Sequence, residues 1–223
     1  MKKTFERIPE EKREKIIQAC IEEFGEQGYE KSSTDRIIRK AGISKGGLYE
    51  YISSKRELFL YIVEYSYRAL YDYLRKRIRE EQIDLPEDIL ERFRLVSSLA
   101  IDFYLAHPRF VSLINRTHQL ADKPLSDEVN SFFTSQFLDL FGNTDETRLR
   151  YPKERLLDLL SWLLLKTRYD FLTEMENNQD IQVIHDRYLQ NWDFYISVLT
   201  GGIYRERCPP RPALPIPSEV SYI

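Results

Sequence analysis

Proline and glycine divide this chain into helical segments. Pro108, Pro124 and Pro152 each open a stretch in which apolar residues recur at three- and four-residue spacing, the period of a helix buried on one face. Gly142 and Gly201–Gly202 close such stretches. Only 8 of 223 residues are glycine, and no segment of convincing length alternates apolar and polar residues as a strand does. The sequence therefore predicts an all-α fold, with helices over about 9–28, 33–41, 45–52, 55–81, 87–106, 108–120, 125–141, 153–176 and 182–203.

The sequence contains no segment that would span a membrane or direct export. Its apolar runs, such as Trp162–Leu165, are far shorter than the roughly 18 residues that a bilayer span needs. Met1–Thr4 is basic but is not followed by an apolar segment, unlike a secretory signal. Cys20 falls on an apolar helix face and Cys208 lies in a proline-rich tail, so we expect no disulfide between them. These features predict a cytoplasmic protein.

Charge is distributed unevenly along the chain. Residues 1–56 contain 13 Lys and Arg against 10 Asp and Glu, a net charge of +3, whereas the remainder contains 20 against 26, a net charge of −6. A basic N-terminal segment followed by an acidic remainder is typical of a nucleic-acid-binding protein with a separate domain for another partner. We predict a DNA-binding domain over 1–54, a helical domain over 55–207 and an extended tail over 208–223, where prolines are frequent.

The most informative segment lies between Ser33 and Ile52. Ser33 belongs to a cluster of helix-capping residues, and Gly42 ends the short helix that follows. Ile43 can bury, and Ser44 can cap the next short helix. Two short helices joined by such a turn predict a helix-turn-helix, which holds its second helix at a fixed angle in the major groove of DNA.

The second helix of this pair contains residues suited to contact DNA. Lys45 supplies a cation at its N-terminus, and Gly46 and Gly47 allow phosphate or base edges to approach the backbone closely. Tyr49 and Tyr51 supply flat rings with hydroxyl donors.

A core position is the alternative for Tyr49. Leu48 and Ile52 are spaced four residues apart and already occupy the inward face, so we expect Tyr49 to point partly sideways. Lys55, at the start of the following helix, could bind a second phosphate.

Two stretches of this sequence, Phe24–Tyr29 and Ile37–Leu58, resemble the TetR family of bacterial regulators. The resemblance covers about residues 10–60 and rests on a specific motif. Ile38 and Ile52 depart from it, since the family commonly has alanine and phenylalanine at these positions. The resemblance implies an all-helical homodimer whose first three helices bind a palindromic DNA operator. A larger C-terminal domain would dimerise and bind a small-molecule effector that releases the DNA. The DNA-contact positions that it implies are Ser33, Thr34, Ser44, Lys45, Gly46, Tyr49 and Lys55.

The helical domain supplies candidates for effector binding and for dimerisation. Its aromatic residues could line a pocket for a largely apolar effector, although most are expected to be core. Arg168 lies on a strongly apolar helix, where an arginine requires a partner or an anionic ligand. The predicted effector-binding residues are Phe103, Tyr104, Phe110, His118, Trp162, Arg168 and Tyr169. The predicted dimer-interface residues are Leu156, Leu160, Leu163, Leu164, Tyr188, Trp192, Tyr195 and Leu199.

Two other functions remain as alternatives to a ligand-responsive repressor. The chain could be a DNA-binding regulator controlled by a protein partner, without a small-molecule effector. It could also be a helical enzyme or carrier, but it contains no glycine-rich phosphate loop and no Gly-x-Ser-x-Gly nucleophile motif. His107, His118 and His185 show no metal-ligand spacing with each other or with the cysteines. We therefore expect neither a cofactor nor a metal.

Overall fold

The computed structural model describes residues 3–141, 143–177 and 180–203. Within these ranges the regular elements are helices, which confirms the predicted all-α fold. The α-helices are α1 (Lys3–Glu6), α2 (Glu10–Lys31), α3 (Thr34–Ala41), α4 (Lys45–Tyr49), α5 (Lys55–Glu80), α6 (Ile89–Ala106), α7 (Pro108–Arg116), α8 (Lys123–Phe141), α9 (Lys153–Glu176) and α10 (Ile181–Ile203). A 3₁₀ turn over Thr117–Gln119 extends α7. The tail predicted over 208–223, with Cys208, lies outside the described residues.

Helix α2 begins where the sequence predicts, but Gly28, predicted to end it, only interrupts it. Pro9 precedes its first residue, and Gly28 adopts a φ of 67°, a left-handed conformation that glycine tolerates best. The helical axis therefore breaks at Gly28, and one further turn continues to Lys31. The stripe that includes Ile16, Cys20 and Phe24 is fully buried. This stripe packs on α3, α5 and α7.

A short helix, α1, precedes α2 and was not predicted. Its Phe5 is completely buried, with its ring 5.7 Å from the rings of both Tyr51 and Tyr61. The sequence offered one isolated aromatic residue here, which is too short a pattern to indicate a helix. Phe5 nevertheless joins the N-terminal helices to α5.

Helix α5 connects the N-terminal helices to the rest of the molecule. The side chain of Ser54 accepts a hydrogen bond from Glu57 N at 3.1 Å, which is one half of a capping box. The carboxylate of Glu57 accepts from Ser53 N, one residue earlier than the standard motif. Phe59 packs on Phe24 of α2, with 5.0 Å between ring centroids, and α5 also contacts α6, α7 and α8.

Helices α6 to α10 form the larger helical body. Asp88 caps α6 by accepting from Leu90 N and Glu91 N, and Pro108 occupies the first turn of α7. Phe93 is buried between Phe141, at 4.1 Å between ring centroids, and Trp192. None of the helices in the described ranges is both long and apolar enough to cross a bilayer.

Candidate DNA-binding site

The segment from α3 to α4 has helix-turn-helix geometry. Gly42 adopts a φ of 65° and ends α3, with its N–H donating to Arg39 O at 3.3 Å. Ile43 N donates to Ile38 O at 3.2 Å, which completes the turn. Ser44 then caps α4, because its Oγ accepts from Gly47 N at 3.1 Å. Gly42 and Ser44 therefore take their predicted roles in this turn, whereas Ile43, predicted to bury, is only partly buried.

Helix α4 is held by its apolar side and is shorter than predicted. Leu48 and Ile52 are buried, as their spacing indicated, and they fix the helix against the core. The helix ends at Tyr49, whereas we predicted an end at Tyr51 or Ile52. Tyr51 N still bonds to Leu48 O, at 2.9 Å, but as part of a turn. Propensity explains the early end, because two glycines weaken so short a helix.

A buried carboxylate fixes the start of α3. Glu23 on α2 is 1% exposed, and its Oε1 accepts from Ser33 N at 2.9 Å and from Arg36 Nε at 2.7 Å. Burial alone would raise the pKa of Glu23, but the bonds from Arg36 and Ser33 and the charges of Arg36 and Lys40 outweigh it and lower that pKa. The ionised carboxylate therefore ties the helix-turn-helix to α2.

Several predicted contact residues form one surface, which we call the α3–α4 face: Ser44, Lys45, Gly46 and Tyr49, which are exposed, and Thr34, which is partly buried. The Lys45 side chain is 69% exposed, and its ammonium lies 3.3 Å from Asp35 Oδ1. The hydroxyls of Thr34 and Tyr49 are 3.3 Å apart, which joins the N-terminus of α3 to the end of α4. A Cβ on Gly46 would meet no atom within 4 Å, whereas one on Gly47 would lie 3.1 Å from Ser44 Oγ. Ser33 and Gly47 are partly buried, and their N–H groups are used within the fold.

Two predicted DNA contacts are corrected by the structure. Tyr51 is only 6% exposed, because its ring packs against Phe5. Lys55 donates from Nζ to Tyr29 O at 2.8 Å and to Ser32 O at 3.3 Å, and it lies 4.5 Å from the centroid of the Tyr29 ring. Lys55 therefore caps the end of α2 instead of presenting its ammonium to phosphate. Neither partner is visible to sequence patterns, because each lies far away along the chain.

The predicted effector residues fall into a buried group and an exposed group. Phe103, Tyr104 and Arg168 are all less than 4% exposed. The ring of Phe110 packs on Phe103, with 5.9 Å between centroids. Trp162 and Tyr169 were assigned to the same pocket, but they are 59% and 58% exposed. His118 is also exposed, and it borders a surface groove with Trp162.

The face predicted for dimerisation is mostly core. Leu156, Leu160, Leu163, Leu164, Tyr188 and Trp192 are buried within the chain, and Tyr195 and Leu199 are partly buried. The exposed apolar side chains of α9 and α10 lie on the other faces of these helices: Leu159, Trp162, Tyr169, Ile181, Val183, Phe194 and Val198. The sequence predicts an interface on the more regular apolar stripe of each helix, but each helix packs that stripe against neighbouring helices of the same chain.

The comparisons with known proteins agree with this geometry. A family model described as bacterial regulatory proteins, tetR family, matches residues 16–62, which include α3 and α4. The uncharacterized HTH-type transcriptional regulator YvdT of Bacillus subtilis is 30% identical over 159 residues, covering 60% of this chain and 81% of that protein.

Solved structures share the fold over most of the chain. A TetR family transcriptional regulator from Chloroflexus aurantiacus superposes with a TM-score of 0.66 at 19% identity, covering 92% of this chain and 99% of that one. FadR from Bacillus subtilis, solved in complex with stearoyl-CoA, gives a TM-score of 0.63 at 15% identity and covers 80% and 96%. With its helix-turn-helix and its helical body, the chain belongs to the TetR family of DNA-binding transcriptional regulators.

Proposed function

We propose that this regulator is a homodimeric repressor that a small, largely apolar molecule releases from a palindromic operator. Residues 1–54 form the DNA-binding domain and residues 55–207 the effector-binding and dimerisation domain. The observation that carries the proposal is the direct packing of α7, from the larger body, on α2, which supports the helix-turn-helix. A movement of α7 would therefore be transmitted to the DNA-binding helices.

Polar contacts hold α7 against α2 along its length. Ser112 Oγ donates to Gly25 O at 2.9 Å, and Arg116 Nε donates to the same oxygen at 3.3 Å. Arg109 pairs with Glu22 at 3.1 Å. The backbones approach closely, since a Cβ on Gly25 would lie 3.4 Å from Arg109 O. Thr117 directly follows α7, and its hydroxyl lies 3.2 Å from the hydroxyl of Tyr67, which links the C-terminal end of α7 to the interior of the larger body.

The α3–α4 face is the proposed DNA-contact surface. Lys45 would contact phosphate, and Tyr49 would combine a hydrogen bond with apolar contact. Gly46 would allow DNA to approach the backbone, since its open surroundings leave that space free. Ser33, Thr34 and Ser44 would contact phosphate through their hydroxyls. Gly47 would contribute no donor, because its N–H already bonds to Ser44, and would only leave room beside the phosphate.

The exposed apolar faces of α9 and α10 support a dimer. Trp162 and Tyr169 on α9, and Phe194 and Val198 on α10, are each more than half exposed in the single chain. Large apolar side chains concentrated on two long helices are typical of an interface with a second copy. Pairing these faces across a two-fold axis would produce an isologous four-helix contact.

The test is selection of binding sites from random duplex DNA by the full-length protein. We expect a palindrome whose half-sites lie about one DNA turn apart, roughly 34–36 Å, or somewhat more if the DNA is unwound. Molecules released from the denatured purified protein would be identified by mass spectrometry and returned to the protein–DNA complex, where they should dissociate it. A selected site without two-fold symmetry would contradict the dimer. A protein that carries no small molecule, and that keeps its DNA in cell metabolite extracts, would contradict the effector and favour control by a protein partner.

A further inference from the structure

Arg168, in the middle of α9, is a buried cation that lacks a counter-charge. Its side chain is 2% exposed, and its hydrogen bond is from Nε to the hydroxyl of Tyr104, at 2.9 Å. Among the described residues it forms no ion pair with a carboxylate. Burying a guanidinium without an anion is costly, because the lost hydration is not replaced.

The other buried cations of the larger body are satisfied in ordinary ways. Arg92, 5% exposed, donates to Pro86 O at 2.6 Å and to Leu140 O at 3.2 Å. Lys153 pairs with Glu146 at 3.1 Å. Arg168 has a single phenol oxygen as its acceptor, although its guanidinium carries five N–H donors. Arg92 and Lys153 therefore have backbone or carboxylate partners, whereas the hydrogen-bonding capacity of Arg168 is incompletely satisfied.

In the part of the chain that the structure describes, the groups that act on the guanidinium are tyrosine hydroxyls. Tyr104 lies beneath it, with 5.8 Å from the guanidinium carbon to the ring centroid. Tyr71 from α5 borders the same cavity as Arg168. The ring of Tyr188 packs edge-on against Tyr104, with 5.9 Å between centroids. Among the described residues, no group bonds to the Tyr188 hydroxyl, which is buried. Hydroxyls and a guanidinium can all donate to an anionic oxygen.

The cavity beside Arg168 is small and mainly apolar. It lies between α5, α6, α8 and α9, encloses about 20 Å³, and is lined by Arg168 with Tyr71, Leu74, Val96 and Phe141 among others. This volume holds about one water molecule. A larger ligand can enter only if these helices separate, so that binding would itself change the shape of the body to which α7 is attached.

We propose that this cavity is the closed form of the effector site, and that the effector is an organic carboxylate with an apolar body, held by Arg168. The inference rests on the proposed ligand response. A carboxylate provides the missing charge and two acceptor oxygens for the guanidinium fork. The apolar body suits the leucine, valine and phenylalanine side chains of the lining. An alcohol or an ester of the same shape would leave Arg168 without a counter-charge.

Binding of matched acids and alcohols to the full-length protein tests the proposal. The probes are hexanoate, decanoate, palmitate and phenylacetate, each compared with its alcohol by isothermal titration calorimetry. We expect at least one acid to bind on the order of 10- to 100-fold more tightly than its alcohol, because a charge-assisted bond is lost in the alcohol. The Arg168→Met variant should bind that acid and its alcohol equally.

The ligand-free variants provide a second measurement. Arg168→Met should melt at a higher temperature than the wild type, because the variant replaces an uncompensated charge with an apolar side chain of similar length. Arg92→Met is the matched control: it removes the donor to the Pro86 and Leu140 carbonyls, so it should melt lower and keep the preference for the acid.

The outcomes separate this inference from the proposed function. Equal affinity for acids and alcohols in the wild type, or no binding of any acid, overturns the carboxylate site. A lower melting temperature for Arg168→Met with an unchanged acid preference assigns Arg168 to the fold and also overturns it. If an acid binds through Arg168 but the operator complex persists, the site stands and the ligand response fails. Release of DNA by a neutral compound, with no acid bound, leaves the response standing and refutes the site.

Discussion

Replacing Gly46 with alanine should make the protein more stable and its DNA complex weaker. Gly46 lies in the first turn of α4, its φ is not positive, and a Cβ there would meet no atom within 4 Å. Nothing within the fold therefore requires glycine, which is a poor helix former. The alanine variant should gain about 0.4–1 kcal/mol in free energy of unfolding, because the unfolded chain loses conformational freedom. For a chain of this length, that gain raises the melting temperature by roughly 1–4 °C.

The same methyl group should reduce affinity for the operator. If DNA occupies the space in front of Gly46, the Cβ must displace a phosphate or a base edge, and such overpacking costs about 1–3 kcal/mol. The corresponding loss of affinity is about 5- to 150-fold. Fluorescence anisotropy with the selected duplex at one fixed salt concentration would measure this loss, and thermal unfolding without DNA would measure the gain.

A second glycine provides the control for Gly46→Ala. Gly202, near the end of α10, is also helical and also has nothing within 4 Å of an added Cβ. Gly202→Ala should be stabilising in the same way without changing DNA affinity. Because Gly202 lies one helical turn after Val198, on the face proposed for the dimer, sedimentation must first show that the variant keeps the oligomeric state of the wild type. Unaltered DNA binding by Gly46→Ala would refute the close approach of DNA, and a loss of stability would refute the open surroundings on which the argument rests.

Three further predictions follow from the helix-turn-helix, its support and the proposed dimer. Lys45→Ala should weaken binding to specific and random duplexes alike and lower the salt slope by about one unit. Tyr49→Phe should cost on the order of 1–3 kcal/mol of binding free energy on the specific duplex. Titrations at several salt concentrations check both, and wild-type binding by both variants would mean that α4 is not the recognition helix. Glu23→Gln should lower the free energy of unfolding by about 1.5–3 kcal/mol at neutral pH, because it weakens a charged bond to Arg36. The folded-state pKa of Glu23 is depressed, so this contribution is complete above the unfolded pKa, about 4.3, and is lost as pH falls through the lower folded pKa. In denaturant titrations, the difference in free energy of unfolding between variant and wild type should be smaller at acidic than at neutral pH. A pH-independent difference would contradict the argument. Trp162→Asp should convert a dimer to a monomer in sedimentation at micromolar concentration, because it buries an unpaired charge in the apolar interface; an unchanged sedimentation coefficient would exclude that face.

The sequence by itself determined helices α2 to α10 and the helix-turn-helix, but not α1. Their signals are local: Ser44 caps α4 by accepting from Gly47 N, three residues along the chain, and Gly42 ends α3 by its own positive φ. The inward positions of Leu48 and Ile52 also follow from helical spacing alone. Such features depend on residues within one or two turns, so a single sequence is sufficient to predict them.

Tertiary structure decided which candidate side chains face a partner and which are used inside the fold. Tyr51 became core because α1 supplies Phe5, and Lys55 became a helix cap because the carbonyl of Tyr29 lies within 2.8 Å. On α9, periodicity indicated an apolar stripe, but both Leu160 and Trp162 are apolar, and only neighbouring helices determine that the first is buried and the second exposed. Burial is a property of what packs against a face, and that information comes from residues distant in the chain.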